Sequence, residues 1–414
     1  KASAKCIVWL EMARMSDKIE ESKRLVYLQK AFNTLDDQKG NAAKIKEVAQ
    51  KFHLNDCEIH LPDLKGTRDV EAELQSVLWS QVCVEAQNLN QSKLVLIANQ
   101  KATQLANQII VREELTSGAS MVDNSQKFSE AQWKWMSQSL LAAGQNLLGK
   151  IDTRTDRQRQ DHIRSLALDK FVQAMVYSAL RVINILEEPR QRNPLRFSLH
   201  AQRQLISSAQ KIWNTALPFM RNRITRQLIL EPFLILHHQL CNVINSIAKH
   251  NPNNYRSALL PKFRVSCVDL LLRCLYDQEE YQMGLDTSFT ALGQIPQILA
   301  HPVWKYRVLF LLKLGKDIEK DIGNIDEGEG DITRTALYSL MAKASSQRNQ
   351  QFVFYRKALQ AVADTPAKIE SIELIIEYAE WIFSNNLGRQ VTQDFLLTAA
   401  DIIIGQDSPA LYNN

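Results

Sequence analysis

The segment from Gly144 to Lys150 has the residue types of a nucleotide site, because it matches the first seven positions of a phosphate-binding loop. The eighth position is Ile151, where a Ser or Thr hydroxyl should hold Mg²⁺. The preceding residues 133–143 have the spacing of an amphipathic helix, whereas such a loop needs a strand that leads into a helix N-terminus. The sequence therefore predicts a helix end with a glycine cap at this point.

Three further groups contain residue types that bind metal ions, but none has the spacing of a known metal site. The acidic stretch 321–328 offers no register with Gly at position 6 and Glu at position 12 of a calcium loop. His237 and His238 are adjacent, so on a helix they point about 100° apart. Cys267 and Cys274 lie on one face of one helix and are predicted to be core residues. We therefore predict no metal site and no cofactor.

No catalytic residue is predicted either. The sequence contains no G-x-S-x-G or H-E-x-x-H motif, and no Cys–His pairing is apparent. Adjacent carboxylates such as Glu279 and Glu280 carry little information in a chain that is 23% charged. We expect a protein that is not an enzyme.

The cysteines and the hydropathy indicate the compartment. The six cysteines are sparse and form no C-x-x-C pair, which predicts reduced, buried thiols in a cytoplasmic protein. No stretch of 18 uncharged apolar residues is present, so we expect no membrane segment. Because the first residue is Lys1, we expect the chain to be part of a longer one.

Charge is unevenly distributed along the chain. Residues 150–226 contain fifteen Lys or Arg and six Asp or Glu, a net +9, whereas residues 277–414 contain twelve and nineteen, a net −7. The aromatic residues near the basic segment fall on apolar faces, which disfavours nucleic-acid binding. Arg221, Arg223 and Arg226 are the candidate contacts with an acidic partner, for which tubulin with its acidic tails qualifies; solvated helix faces are the alternative.

Helical periodicity positions all of these residues. It runs almost from end to end, as in Ile372, Ile375, Ile376 and Ala379, and strand signals are nearly absent. A chain of 414 residues exceeds what one core usually supports, and 13 Gly with 11 Pro leave few tight turns. The sequence predicts an all-α fold, an α-solenoid of tetratricopeptide-like helical hairpins.

Loops with turn chemistry divide the solenoid into four predicted segments of one continuous array. These are N-terminal helical hairpins at 1–120, a basic segment of long helices at 121–250, a helical hairpin region at 251–320 and tetratricopeptide-like hairpins at 332–404.

The repeat signal is clearest at the C-terminal end. Helices are predicted at about 332–346, 350–363, 366–384 and 389–404, a spacing of roughly 35 residues against a tetratricopeptide period of 34. Tyr355 precedes the small Ala358, and Phe395 with Ala399 repeats the pattern less closely. The small residue lets a partner helix approach, and the ring fills the adjacent space.

The second half of the chain, roughly residues 165–404, resembles the cilia- and flagella-associated protein 46 family of large tetratricopeptide-repeat proteins. The matching stretches, in order, are Ile212-Trp213-Asn214 through Leu217-Pro218, Leu275-Tyr276-Asp277 to Gly284-Leu285, Leu312-Lys313-Leu314-Gly315, Tyr355 to Leu359, and Ile375 to Ile382. These are packing motifs, so their specificity comes from their order along the chain.

The resemblance implies a structural protein of motile cilia that belongs to a projection of the central apparatus, on one of the two central microtubules of the axoneme. It implies a hetero-complex with other large cilia- and flagella-associated proteins, with tubulin and calmodulin as further candidate partners. It implies neither nucleic-acid nor membrane binding, and it supplies no catalytic residue.

Two other interpretations remain open. One is a helical scaffold of another cytoplasmic assembly, such as a vesicle coat, a nuclear pore or a signalling complex, which expression in non-ciliated cells would favour. The other is the helical platform of an enzyme whose catalytic domain lies outside this chain, which a protease or nucleotide-binding signature in the parent sequence would reveal.

Overall fold

A computed structural model describes the chain as a series of α-helices. It describes residues 2–14, 21–36, 70–117, 129–152, 154, 156–187, 194–316, 331–345, 347–363 and 368–404. Within these ranges there is no β-strand, and consecutive helices pack against each other as pairs. The predicted fold class, an all-α solenoid of helical hairpins, is confirmed.

The chain divides into two compact units, Lys1–Leu259 and Leu260–Asn414. The first unit contains eight described α-helices: α1 (Ala2–Arg14), α2 (Glu21–Asp36), α3 (Val70–Asn88), α4 (Ser92–Ser117), α5 (Glu130–Leu148), α6 (Arg157–Glu187), α7 (Pro194–Ala216) and α8 (Arg223–His250). The closest pairs are α1 with α2, α3 with α4, α5 with α6, and α6 with α7. Helix α3 also packs against α5, and α6 against α8, so each pair is buried by the next.

The second unit contains seven described α-helices: α9 (Pro261–Asp277), α10 (Tyr281–Gln294), α11 (His301–Leu314), α12 (Asp331–Ala344), α13 (Arg348–Ala363), α14 (Lys368–Ser384) and α15 (Arg389–Ile404). Its closest pairs are α10 with α11, α12 with α13, and α14 with α15. The last four helices agree with the predicted bounds to within two residues. Their classification as tetratricopeptide repeats stays a prediction.

Local signals set the helix ends. The Ser129 hydroxyl accepts the amide hydrogen of Gln132 and so caps the start of α5. At its other end, the amide of Gly149 donates to the carbonyl of Gln145, so the predicted glycine-capped helix end is confirmed. Gly315 follows the last residue of helix α11, and its φ of 63° is left-handed and favours glycine.

Small residues on facing helices allow the helix pairs to pack closely. The side chains of Ala98, Ala102 and Ala106 on α4 are fully buried. The hydroxyls of Ser137 on α5 and Ser178 on α6 are 2.6 Å apart. In the second unit, the predicted packing of Tyr355 and Ala358 is confirmed, since both are buried.

Two helical glycines make room for phenylalanine rings. Gly144 in α5 lies under Phe171, and a Cβ atom at Gly144 would be 2.8 Å from Phe171 Cδ1. Gly284 in α10 lies against Phe310 in the same way. The glycine that suggested a phosphate-binding loop is therefore a packing residue.

The remaining candidate metal-ligand groups are distributed as follows. Cys6, Cys83, Cys241, Cys267 and Cys274 are buried free thiols. His237 contacts Cys241 and His238 contacts Asn242, each within α8.

Cys57 and the acidic stretch 321–328 lie outside the described residues. Across the described ranges, no group of three His, Cys, Asp or Glu could hold a metal ion. None of the described helices is long and apolar enough to cross a membrane.

We expect Gly144→Ala and Gly284→Ala to lower the free energy of unfolding by about 1–3 kcal/mol each, because Phe171 and Phe310 are buried and cannot move aside. Urea denaturation followed by far-UV circular dichroism measures this. The matched control is Gly293→Ala in α10, where no atom lies within 4 Å of the added Cβ. This change should stabilise by about 0.5–1 kcal/mol through helix propensity. Equal effects at the three positions would contradict the packing role.

Candidate partner-binding surfaces

A groove in the second unit is lined by residues of α11, α12 and α14. It has a volume of about 310 Å³. Its charged and hydroxyl groups come from His301 and Lys305 on α11, Ser339 and Lys343 on α12, and Glu373 and Glu377 on α14. Because these helices belong to successive pairs, the groove depends on the stacking of the pairs.

Glu377 is the centre of the hydrogen-bond network in this groove. Its carboxylate accepts hydrogen bonds from the Ser339 hydroxyl at 3.0 Å and the Tyr355 hydroxyl at 3.0 Å. The Lys343 ammonium lies 2.7 Å from the second carboxylate oxygen. One side chain of α14 is thus bound to both helices of the preceding hairpin, α12 and α13.

Tyr355 links this polar network to an aromatic cluster. Its ring centroid lies 5.3 Å from that of Tyr378 and 5.5 Å from that of Trp381. Burial and the neighbouring charge of Glu377 raise the pKa of Tyr355 above its usual value. The hydroxyl therefore remains a hydrogen-bond donor at every physiological pH.

The rest of the groove carries accessible charge. Lys305 is exposed, and burial together with the charge of Lys305 lowers the pKa of His301. His301 is consequently favoured in its neutral form near pH 7. The groove offers a Lys305 ammonium and a Glu373 carboxylate to a bound segment.

The three arginines predicted to contact an acidic partner have different environments. Arg221 and Arg223 are exposed at the start of α8. Arg226 is 5% exposed, and its Nη1 donates to the carbonyl of Met220 at 2.9 Å. Arg226 therefore supports the turn before α8 and is not available for direct contact. The contact role of Arg221 and Arg223 stays a prediction.

A second concentration of positive charge lies where α1, α5, α6 and α7 meet. Burial, together with the charges of Arg181 and Arg14, lowers the pKa of Lys134 to about 8. Arg14 and Lys134 both lie over the Trp135 ring, 5.0 and 5.3 Å from its centroid. Burial and the charges of Arg181, Lys134 and Arg203 also lower the pKa of His200.

Carboxylates offset only part of this charge. Arg14 pairs with Glu85 at 2.9 Å and with Glu11 at 2.9 Å, and Arg181 pairs with Glu130 at 2.8 Å. Burial is the largest cause of the lowered pKa of Lys134, and the charges of Arg181 and Arg14 add to it.

Sequence reasoning missed Glu377 and Lys134. Glu377 lies on a helix among other acidic residues, and nothing in the sequence pairs it with Tyr355. The charge density at Lys134 arises from Arg14 and Arg181, which are far away along the chain. Only the packing of the helices brings these groups together.

The chain is similar to one curated protein, named cilia- and flagella-associated protein 46, from Chlamydomonas reinhardtii. The two sequences are 22% identical over 203 residues. The match covers 49% of this chain and 7% of the relative, so the chain spans a small part of the relative's length. No protein-family model matches the chain.

This distant similarity suggests a relationship to cilia- and flagella-associated proteins and a cilium-related role. It agrees with the resemblance stated from the sequence. The helical-repeat fold is that of proteins whose extended surfaces bind other proteins.

We expect Tyr355→Phe to lower the free energy of unfolding by about 1–2 kcal/mol, because the buried hydroxyl donates to a carboxylate. Thermal and urea denaturation at neutral pH measure this. Tyr281→Phe is the control, since no hydrogen bond of the Tyr281 hydroxyl is found among the described residues. Equal stability of the Tyr355 and Tyr281 variants would contradict the central role of Glu377.

Proposed function

We propose that this protein is a non-enzymatic structural scaffold of the motile-cilium central apparatus, which braces a projection of a central microtubule and supports the regulation of beating. The observation that carries the proposal is the similarity to a protein named cilia- and flagella-associated protein 46. The helical-repeat fold supports it, because such arrays hold other proteins by many modest contacts.

The mechanism of a scaffold of this kind is mechanical. Each helical pair buries its apolar face against its neighbours, so a load on one pair passes directly to the next. Charged residues at the junctions, such as Glu377 in the second unit and Arg14 in the first, hold the pairs in register. The surfaces left exposed are then available for partners.

The proposed partners are other large cilia- and flagella-associated proteins in one hetero-complex, with tubulin and calmodulin as further components. The excess of positive charge in residues 150–226 suits an acidic partner such as the tubulin tails. The net negative charge of residues 277–414 suits a basic one. We propose the axoneme, within the cytoskeleton of the cell, as the location.

The direct experiment is localisation of the full-length protein with a fluorescent tag in a cell with motile cilia. We expect the signal along the axoneme, retained after detergent removes the ciliary membrane, and lost from mutants that lack the central microtubules. A tagged protein that stays in the cell body, or that the detergent releases, would contradict the proposal.

A charge-reversal pair tests the acidic partner. We expect Arg221→Glu with Arg223→Glu to weaken co-sedimentation with microtubules by about threefold or more at low ionic strength, because two exposed cations are replaced by anions. Removal of the tubulin tails should produce a similar loss.

The matched control is Lys262→Glu with Lys313→Glu, which makes the same charge change at two exposed residues outside the basic segment. An equal loss of microtubule binding in both double variants would show that binding depends on net charge and not on the position of the two arginines. Unchanged microtubule binding by the Arg221 and Arg223 variant would contradict the predicted contact.

A further inference from the structure

The last described helix, α15, carries apolar side chains on two faces. Its inner face packs on α14, where the ring centroid of Phe395 lies 5.0 Å from that of Tyr378 and Ala399 is buried. Its outer face presents Leu396, Leu397 and Ile403, which are 45%, 54% and 65% exposed. Leu396 and Ile403 lie beside Ala399 and Leu397 points away from it, so the apolar surface of α15 extends beyond the part that α14 covers.

The outer face forms one wall of an apolar groove. The other wall is Phe383 on α14, which is 61% exposed. Leu396 and Leu397 complete a groove of about 570 Å³ whose lining is mostly apolar. Exposed apolar surface of this extent in one place usually marks an interaction site.

The preceding hairpin shows which kind of element covers such a face. When α13 and α15 are aligned so that Phe354 matches Phe395 and Ala358 matches Ala399, Tyr355 matches Leu396. Tyr355 is 3% exposed, because Tyr378 and Trp381 of α14 cover it. Leu396 holds the same position one hairpin later, and no described residue covers it in this way.

The exposed apolar surface of α15 can be covered by another helix. The element that fits against it is an amphipathic helix with large apolar or aromatic residues at i, i+3, i+4 and i+7, as α14 supplies to α13.

The charges around the groove indicate which charge the polar side of that helix should carry. Glu380 lies on its lining, and Asp394 and Asp401 flank the exposed leucines on α15. Arg389 is the cation that lines the groove in the described part of the chain. Glu380 and Arg389 balance each other on the lining, so the carboxylates of Asp394 and Asp401 beside the leucines are the groups that would attract basic residues.

We propose that the groove between α14 and α15 binds an amphipathic helix of a partner protein, with its apolar face on Phe383, Leu396 and Leu397 and basic residues beside Glu380 and Asp394. The proposal goes beyond the ciliary assignment and does not depend on it. It assigns this surface to a basic partner, distinct from the acidic partner proposed for Arg221 and Arg223.

A designed peptide tests the groove directly. The probe is an amphipathic peptide of about five helical turns, with leucine on one face and lysine elsewhere, and its twin has glutamate in place of lysine. Fluorescence anisotropy measures the Kd of each for the whole chain. We expect the lysine peptide to bind more tightly than the glutamate peptide.

Two double variants locate the binding. Leu396→Ser with Leu397→Ser should weaken binding of the lysine peptide by about tenfold or more, as expected for central apolar anchors. Because both side chains are largely exposed, the fold should be retained, and circular dichroism checks this. The matched control, Phe289→Ser with Ile298→Ser, changes two exposed apolar residues elsewhere in the same unit and should leave Kd unchanged.

A third double variant tests the charge. Glu380→Lys with Asp394→Lys should reverse the preference, so that the glutamate peptide binds more tightly than the lysine peptide. Equal Kd values for the wild-type chain and the leucine variant would overturn the proposal, as would a preference that charge reversal leaves unchanged.

Two further outcomes assign the groove to another occupant and also overturn the proposal. If the chain self-associates and the leucine variant is monomeric in analytical ultracentrifugation, a second copy occupies the groove. If the full-length protein fails to bind the lysine peptide that this chain binds, a helix of the same polypeptide covers it.

Discussion

The structure depends on one constraint, which is that each amphipathic helix pair can bury its apolar face only against the neighbouring pairs. The chain has 45% apolar residues, and its described part is helical and contains no sheet that could cover these faces. The helices must therefore approach closely, and the small side chains of Ala102, Gly144 and Ala358 provide the space. Gly144 and Gly284 have no side chain, and the rings of Phe171 and Phe310 fill the space that a side chain would occupy there.

Polar groups add specificity to this apolar packing at the junctions between pairs. Glu377 is bound by Ser339, Lys343 and Tyr355, so a single side chain of α14 is joined to both α12 and α13. In the first unit, Arg14 links α1 to Glu85 on α3 and lies over Trp135 on α5. These contacts cost desolvation energy, but they exclude shifted arrangements that apolar packing alone would tolerate. The same stacking leaves Lys305, Leu396 and Leu397 exposed.

Much of this architecture could be predicted from the sequence, because helix formation and amphipathic burial depend on local periodicity. The bounds of α12 to α15 and the packing of Tyr355 on Ala358 follow from spacing alone. The glycine cap at Gly149 could also be predicted, since the preceding segment had helical and not strand periodicity. Each of these features involves residues that are close together in the sequence.

The candidate surfaces could not be predicted, because they depend on side-chain directions and on helix stacking, which spacing along the sequence does not give. The position of Arg226 among neighbouring arginines indicated exposure, yet its side chain turns back to the Met220 carbonyl. Glu377 and Tyr355 are separated by a helix end, and only the stacking of α14 on α13 joins them. The exposure of Leu396 follows from the lack of a covering helix such as α14 provides for Tyr355.

Hydrogen–deuterium exchange of the Tyr378→Ala variant tests the central claim most directly. Tyr378 is buried between α13 and α15, so its truncation removes contacts that only the neighbouring pairs make. If each pair is stabilised by its neighbours, exchange will accelerate in α12 to α15 and stay unchanged in α3 to α6. Acceleration of similar size in both sets of helices, or none in α12 to α15, would contradict the account.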